Sequence, residues 1–159
     1  MLEVGQEAPD FTLYDSEKKQ VTLSAQRGQP VLLLFFPLAF TSTCTKQLCQ
    51  VRDEISWYNN IEAKVFGISV DSLHTLAKYK AEQQLNFTLL SDFNKEVSRA
   101  YDSLYERFGY NMQGVSKRSA FVIDPKGITR YAEVLENAGN IPDFGAINKA
   151  LEAIHLNIS

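Results

Sequence analysis

The stretch PVLLLFFPLAFTSTCTKQLC, from Pro30 to Cys49, decides the fold. Pro30 to Phe36 is a continuous apolar run, the pattern of a strand buried on both faces of a mostly parallel sheet. Pro37 ends it, having no N–H to give to a ladder. Apolar residues then recur at Leu48, Val51 and Ile55, three and four apart, which predicts an amphipathic helix over about 42–58. Cys44 extends that stripe backward into the first turn of the helix. There the unpaired backbone N–H groups and the positive end of the helix dipole favour a thiolate. Thr41, Ser42 and Thr43 are candidate caps. A cysteine on an apolar stripe is in general a small core hydrophobe. Its place between a strand end and a helix start makes this one a candidate nucleophile instead.

Outward from that stretch, the pattern alternates. It predicts strands near 11–14 and 20–23, the core strand 31–36, the helix 42–58, a strand 64–70, a helix 72–84 and a short helix 94–101. Ser119 to Asp124 and Ile128 to Val134 form a hairpin through Asp124-Pro125-Lys126-Gly127, with proline and glycine where a type I turn wants them. The loop Asn137 to Gly145 leads into a last helix over about 142–154. Strand–helix–strand units followed by an antiparallel hairpin and a helix describe a mixed α/β sandwich. No repeat, low-complexity tract or linker interrupts residues 1–159, so the expectation is one domain.

With 159 residues the chain is long enough to bury about 70% of its unfolded surface. A net charge of −3 gives no electrostatic footprint for nucleic acid or for an anionic membrane. No apolar run reaches about 18 residues and no charged-then-apolar leader is present, so the expectation is a soluble, cytoplasmic protein. Two cysteines do not make a disulfide scaffold. His74 and His155 are distant from each other and lack zinc-site spacing, so neither a metal nor another cofactor is expected. Trp57 and Tyr58, at the end of the helix, read as packing.

Pro37, Thr41 and Cys44 form P-x-x-x-T-x-x-C, which resembles the active-site signature of peroxiredoxins. Four further segments are similar to that family, and in its order: Gly5 to Phe11 (GQEAPDF), Gly67 to Ser72 (GISVDS), Leu89 to Asp92 (LLSD) and Arg118 to Asp124 (RSAFVID). The resemblance covers nearly the whole chain. It implies a thioredoxin fold, with a mixed central sheet flanked by helices and the family's N-terminal extension, and the activity of a thiol-dependent peroxidase. A thiolate at Cys44 would attack a peroxide oxygen, break the O–O bond and become a sulfenic acid. The negative charge that develops needs donors. By resemblance these are the Thr41 hydroxyl, the Arg118 guanidinium and the N–H groups at Cys44 and its neighbour, with Pro37 shaping the pocket over the sulfur. Read without the resemblance, Arg118 would be a solvated charge at a strand start. Gln47 departs from the family pattern, which has a glutamate three residues after the reactive cysteine; an amide can hydrogen-bond but carries no charge. Phe40 lies in the turn where family members often build a dimer interface; a buried turn residue is the alternative.

Cys49 decides the subclass. C-x-x-x-x-C is similar to the resolving arrangement of the group named for bacterioferritin comigratory protein, whereas FFPLAFT and LLSDF read more like the alkyl hydroperoxide reductase E type. In an intact helix, residues five apart have Cα atoms about 8.7 Å apart, and disulfides rarely tolerate more than about 7 Å. A Cys44–Cys49 bridge therefore requires the helix start to unwind. Thr45, Arg52 and Ser56 flank Cys49 at helical spacing, so its face is polar, and Arg52 is placed to favour its thiolate. Two routes stay open: an intramolecular disulfide reduced by thioredoxin, or reduction of Cys44 by an outside thiol, either glutaredoxin or a low-molecular-weight thiol. A peroxide sensor that oxidises once without turnover also needs such a cysteine. A thioredoxin-type oxidoreductase would want C-x-x-C. The resemblance implies a monomer or a homodimer.

Overall fold

The computed structural model describes residues 2–158, and the apolar run lies at its centre. In chain order the elements are β1 (Thr12–Asp15), β2 (Gln20–Thr22), β3 (Val31–Phe35), α1 (Ser42–Asp53), α2 (Ile55–Asn60), β4 (Lys64–Ser69), α3 (Leu73–Gln83) and β5 (Thr88–Ser91). They continue with α4 (Glu96–Ala100), β6 (Leu104–Tyr105), β7 (Val115–Ser116), β8 (Ser119–Ile123), β9 (Thr129–Val134) and α5 (Phe144–Ile158). Seven strands form one sheet in the order β2-β1-β5-β4-β3-β8-β9, and β6 pairs with β7 in a small separate ribbon. Strands β3, β4 and β5 are parallel; β1, β8 and β9 join antiparallel.

All five residues of β3 are buried because alternate side chains feed two different cores. Leu32, Leu34 and Phe36 pack with Cys44, Leu48 and Val51 of α1, Tyr79 of α3, and Ile147 and Leu151 of α5. Val31, Leu33 and Phe35 face the opposite way, toward Phe11, Ile68, Tyr101 and Phe121. A strand covered on both faces has no polar side, which is why the sequence showed a run and not an alternation.

The helix expected over 42–58 is two helices. It breaks at Glu54 (φ −111°, ψ 16°), whose N–H bonds to Val51 O three residues back at 3.1 Å, and the chain restarts as α2. Strand β5 was missing from the sequence pattern: four residues with only Leu89 and Leu90 fully inside are too short to show a period. The last helix runs on to Ile158, beyond the expected 154. In the β8–β9 turn, Gly127 takes φ +87°, a backbone that favours glycine, and its N–H bonds to Asp124 O at 2.9 Å. Among the described residues no helix is long and apolar enough to cross a membrane.

Candidate active site

Cys44 is the third residue of α1 and is fully buried. Arg118 stands between β7 and β8, where the antiparallel pairing of β8 with β3 carries it to the sulfur, and it is only 2% exposed. Its guanidinium spends its fork on three acceptors. Nη2 donates to Cys44 Sγ at 3.1 Å, Nε donates to Ala138 O at 3.0 Å, and Nη1 donates to Gln47 Oε1. Among the described residues no carboxylate forms an ion pair with Arg118. Burying a charge without a counter-charge is costly, and Cys44 is the one partner here that can become an anion. Gln47, one turn along α1, is itself fully buried, and its Nε2 has no hydrogen-bond partner among the described residues.

The turn between β3 and α1 is held from β4. Pro37 is buried at the strand end. Ala39 N–H donates to Asp71 Oδ2 at 2.8 Å, and the same oxygen accepts from Ser69 Oγ at 2.7 Å. Asp71 lies just past the C-terminal end of β4, beside the equivalent end of β3, the edge where parallel sheets collect functional loops. Thr41 occupies the N-cap position of α1 with an extended backbone, but it does not cap: its hydroxyl donates to Leu38 O at 2.8 Å, and its carbonyl accepts from Thr45 N at 2.9 Å. Ser42 and Thr43 are already helical, so the expected side-chain caps are not made. The first N–H groups of α1, at Ser42, Thr43 and Cys44, precede the first intrahelical bond and sit at the positive end of the dipole. Phe40 takes φ +65°, unusual for a bulky residue, and its ring is 49% exposed rather than buried.

Cys49 is half-buried on the face of α1 turned toward α3, and its Sγ donates to Gln83 Oε1 at 3.8 Å. Its polar surroundings agree with the reading of Thr45 and Arg52 as its neighbours, but Arg52 is otherwise employed. Its Nε bonds Asp53 Oδ1 at 2.9 Å and its Nη1 bonds Gln83 O at 2.7 Å. The Asp53 hydrogen bond is the main reason its pKa is raised, with Cys49 contributing as a nearby charge. Tyr79 of α3, fully buried, touches both ends of the cysteine's neighbourhood. Its hydroxyl shares a hydrogen bond with Thr45 Oγ1 at 2.9 Å, and its ring meets that of Phe40 edge-on at 5.0 Å. Burial pushes its phenol up to about 12, against the pull of the Thr45 bond.

Arg118 and Thr41 also line a cleft of about 640 Å³. Tyr105, Arg107 and Phe108 form one side of it and the loop Glu136–Gly139 another. Asp71, Tyr79 and the Ala138 carbonyl were not singled out from the sequence. Asp71 carried a signal, an acid at the exit of a core strand; Tyr79 reads as one more core aromatic, and a backbone carbonyl carries none.

Comparison with known proteins follows the same lines. The family profile described as AhpC/TSA family matches residues 4–132. Alkyl hydroperoxide reductase E from Mycobacterium tuberculosis is 40% identical over 157 residues, covering 97% of this chain and 99% of its own. Among solved structures, peroxidoxin BcpB from Mycobacterium tuberculosis superposes with a TM-score of 0.82 at 28% identity, covering 100% of this chain and 99% of its own. The Xanthomonas campestris bacterioferritin comigratory protein, described for its alkyl peroxide reduction activity, gives 0.79 at 26% identity, with 100% and 99% covered. The architecture is thus the thioredoxin-like one of these proteins.

Proposed function

The chain belongs to the AhpC/TSA family and is a thiol-dependent peroxidase, and from that premise we propose that Cys44 is the residue oxidised by peroxide. The observation that carries the reading is the buried contact of Arg118 Nη2 with Cys44 Sγ at 3.1 Å. The thiolate attacks one peroxide oxygen, an S–O bond forms and the O–O bond breaks. The departing oxygen leaves with the electron pair and takes up a proton as water or an alcohol, while Cys44 becomes a sulfenic acid. Arg118 and the free N–H groups at the start of α1 face the charge that moves from sulfur to oxygen. Thr41 adds its hydroxyl once it turns from Leu38 O, and Pro37 closes the pocket against bulk water. Hydrogen peroxide and organic hydroperoxides are the substrates proposed; the Xanthomonas campestris protein is described for alkyl peroxide reduction.

For the second half of the cycle, Cys49 resolves the sulfenic acid as an intramolecular disulfide, which a thioredoxin-like dithiol then reduces. Two observations support this: Cys49 is partly accessible, and among the described residues the only side-chain bond to its sulfur is the long one to Gln83. The unbroken course of α1 from Ser42 to Asp53 favours the other reading, reduction by an external glutaredoxin or low-molecular-weight thiol.

Intact mass after one equivalent of hydrogen peroxide separates them. A loss of about two mass units, abolished in both Cys44→Ser and Cys49→Ser, is the disulfide; a gain of about sixteen at Cys44 that ignores Cys49→Ser is the one-cysteine route. No rapid change at Cys44 would refute its role.

A further inference from the structure

Helices α1 and α3 run side by side in the same direction, tied by two polar pairs in matching register. Thr45 bonds Tyr79 at 2.9 Å and Cys49 bonds Gln83 at 3.8 Å, each pair one helical turn from the other. Thr45 lies between the two cysteines. Tyr79 also receives the Phe40 ring, on the other side of Cys44, at 5.0 Å. Among the described residues, Tyr79 thus makes a ring contact before Cys44 and a hydrogen bond after it. A residue in that position holds the turn and the helix start as one unit.

Resting on the disulfide route above, we propose that Tyr79 is a positioning residue that latches the first turns of α1, and so sets how Cys44 sulfenic acid divides between disulfide and further oxidation. Resolution requires unwinding: the Cys49 thiolate attacks the Cys44 sulfur, the S–S bond forms, the S–OH bond breaks, and hydroxide leaves as water with the proton Cys49 gave up. While α1 stays wound, the sulfenic acid remains beside Arg118 in the peroxide pocket. A second peroxide can then add one oxygen to the sulfur, its O–O bond breaking to give a sulfinic acid and water or an alcohol. Breaking Thr45–Tyr79 is part of the first path and not of the second. The latch therefore trades resolution speed for a rigid peroxide site.

The test is Tyr79→Phe, which keeps the ring and its contacts with Phe36 and Phe40 and removes only the hydroxyl. The control is Tyr58→Phe, another fully buried tyrosine, whose hydroxyl bonds Asn148 Oδ1 at 3.1 Å away from both cysteines. In the reduced chain, hydrogen exchange of the backbone amides of residues 44–49 should quicken roughly fivefold in Tyr79→Phe, the population change that one net hydrogen bond supports. It should stay unchanged in Tyr58→Phe, and Tyr79→Phe should add nothing further in a Thr45→Val background. After excess peroxide, the ratio of sulfinic acid to disulfide read by mass should fall by a similar factor. Exchange at 44–49 that is the same in Tyr79→Phe as in the unaltered chain, or equally quickened by Tyr58→Phe, would overturn the latch. Quickened exchange with an unchanged ratio would overturn its role in partitioning. Absence of any disulfide in the unaltered chain would refute the resolving role of Cys49, and the exchange result would still decide the latch.

Discussion

Because Arg118 is buried against three acceptors and no carboxylate, its stability should depend on the charge state of Cys44. At 3.1 Å and an effective dielectric constant of about 20, a guanidinium and a thiolate attract by about 5 kcal/mol. Desolvation of the two ions takes part of this back, leaving about 3 kcal/mol as the net coupling, within the span measured for close charge pairs. The perturbation is a double-mutant cycle on the reduced protein: Cys44→Ser, which keeps a small hydrogen-bond acceptor but removes the charge, Arg118→Met, and both together. Cys44→Ser should be strongly destabilising because it strands the buried guanidinium. Adding Arg118→Met should then cost little or restore stability, since a buried cation is exchanged for an apolar side chain of similar length. Urea unfolding at neutral pH reads all four chains. Gln47→Glu, which offers Arg118 a permanent carboxylate one turn from the sulfur, should shrink the Cys44→Ser penalty by about half or more. A coupling under about 1 kcal/mol, the size of an ordinary neutral hydrogen bond, would refute the thiolate–guanidinium pair.

Two further predictions concern the frame around the site. Gly67 of β4 has room for a hydrogen only: a Cβ there would lie 2.7 Å from Leu89 Cδ2 and 3.4 Å from Phe36 Cε1. Gly67→Ala should cost about 1–3 kcal/mol by overpacking, read as a lower urea midpoint; no loss would mean that Leu89 can swing aside. Asp124 organises the β8–β9 turn by accepting from the N–H groups of Lys126 and Ile128, each at 2.9 Å, and from Arg130 Nε at 2.8 Å. Burial alone would raise its carboxyl, but the Ile128 N–H, the Arg130 guanidinium and the Lys126 N–H outweigh burial and leave it below 3.8. A depressed folded pKa gives stability that is complete above the unfolded value and is lost as pH falls through the folded one. Asp124→Asn should therefore destabilise by about 2 kcal/mol at neutral pH. The gap should close as the pH drops below about 4; a gap that persisted in acid would mean the loss is steric.

Cys44 was legible because its signal is local: an apolar run, a proline and a helical stripe within twenty residues place it at a helix start by periodicity alone. Arg118 was not, on its own residues. It lies 74 positions away, and only the pairing Phe35↔Ser119 in the β3–β8 ladder brings it to the sulfur. What reads as a solvated strand-start charge is one of the most buried side chains in the molecule, and the family resemblance supplied what periodicity could not. Thr41 failed in a subtler way. The helix boundary was correctly expected there, but no side-chain cap forms: the Thr41 hydroxyl turns to donate to Leu38 O, with the left-handed Phe40 between them. Helix boundaries failed where the backbone, not the pattern, decided: Ile55 continues the apolar stripe, yet Glu54 breaks the helix.

On the disulfide route proposed above, one helix has two tasks that oppose each other. Reaction with peroxide needs α1 wound, so that Cys44 meets Arg118 and the free N–H groups; resolution by Cys49 needs the same turns open. The backbone terms of that opening nearly cancel, since each hydrogen bond lost is worth about 1 kcal/mol net and each residue released regains about 1–2 kcal/mol of chain entropy. Side-chain ties then decide, and only one of them changes during the cycle. Thr45–Tyr79 and Cys49–Gln83 hold no atom that reacts with peroxide in the first step, whereas a Cys44 thiolate paired with Arg118 would lose its charge on becoming a sulfenic acid. Gln47 stands in place of a carboxylate there, and among the described residues no carboxylate pairs with Arg118. If the coupling is the expected value of about 3 kcal/mol, oxidation would remove that much of the hold on the helix start, about a hundredfold in the unwound population. Opening should follow from the chemistry that requires it, and hydrogen exchange at residues 44–49 should be faster in a sulfenic-acid form trapped in Cys49→Ser than in the reduced form.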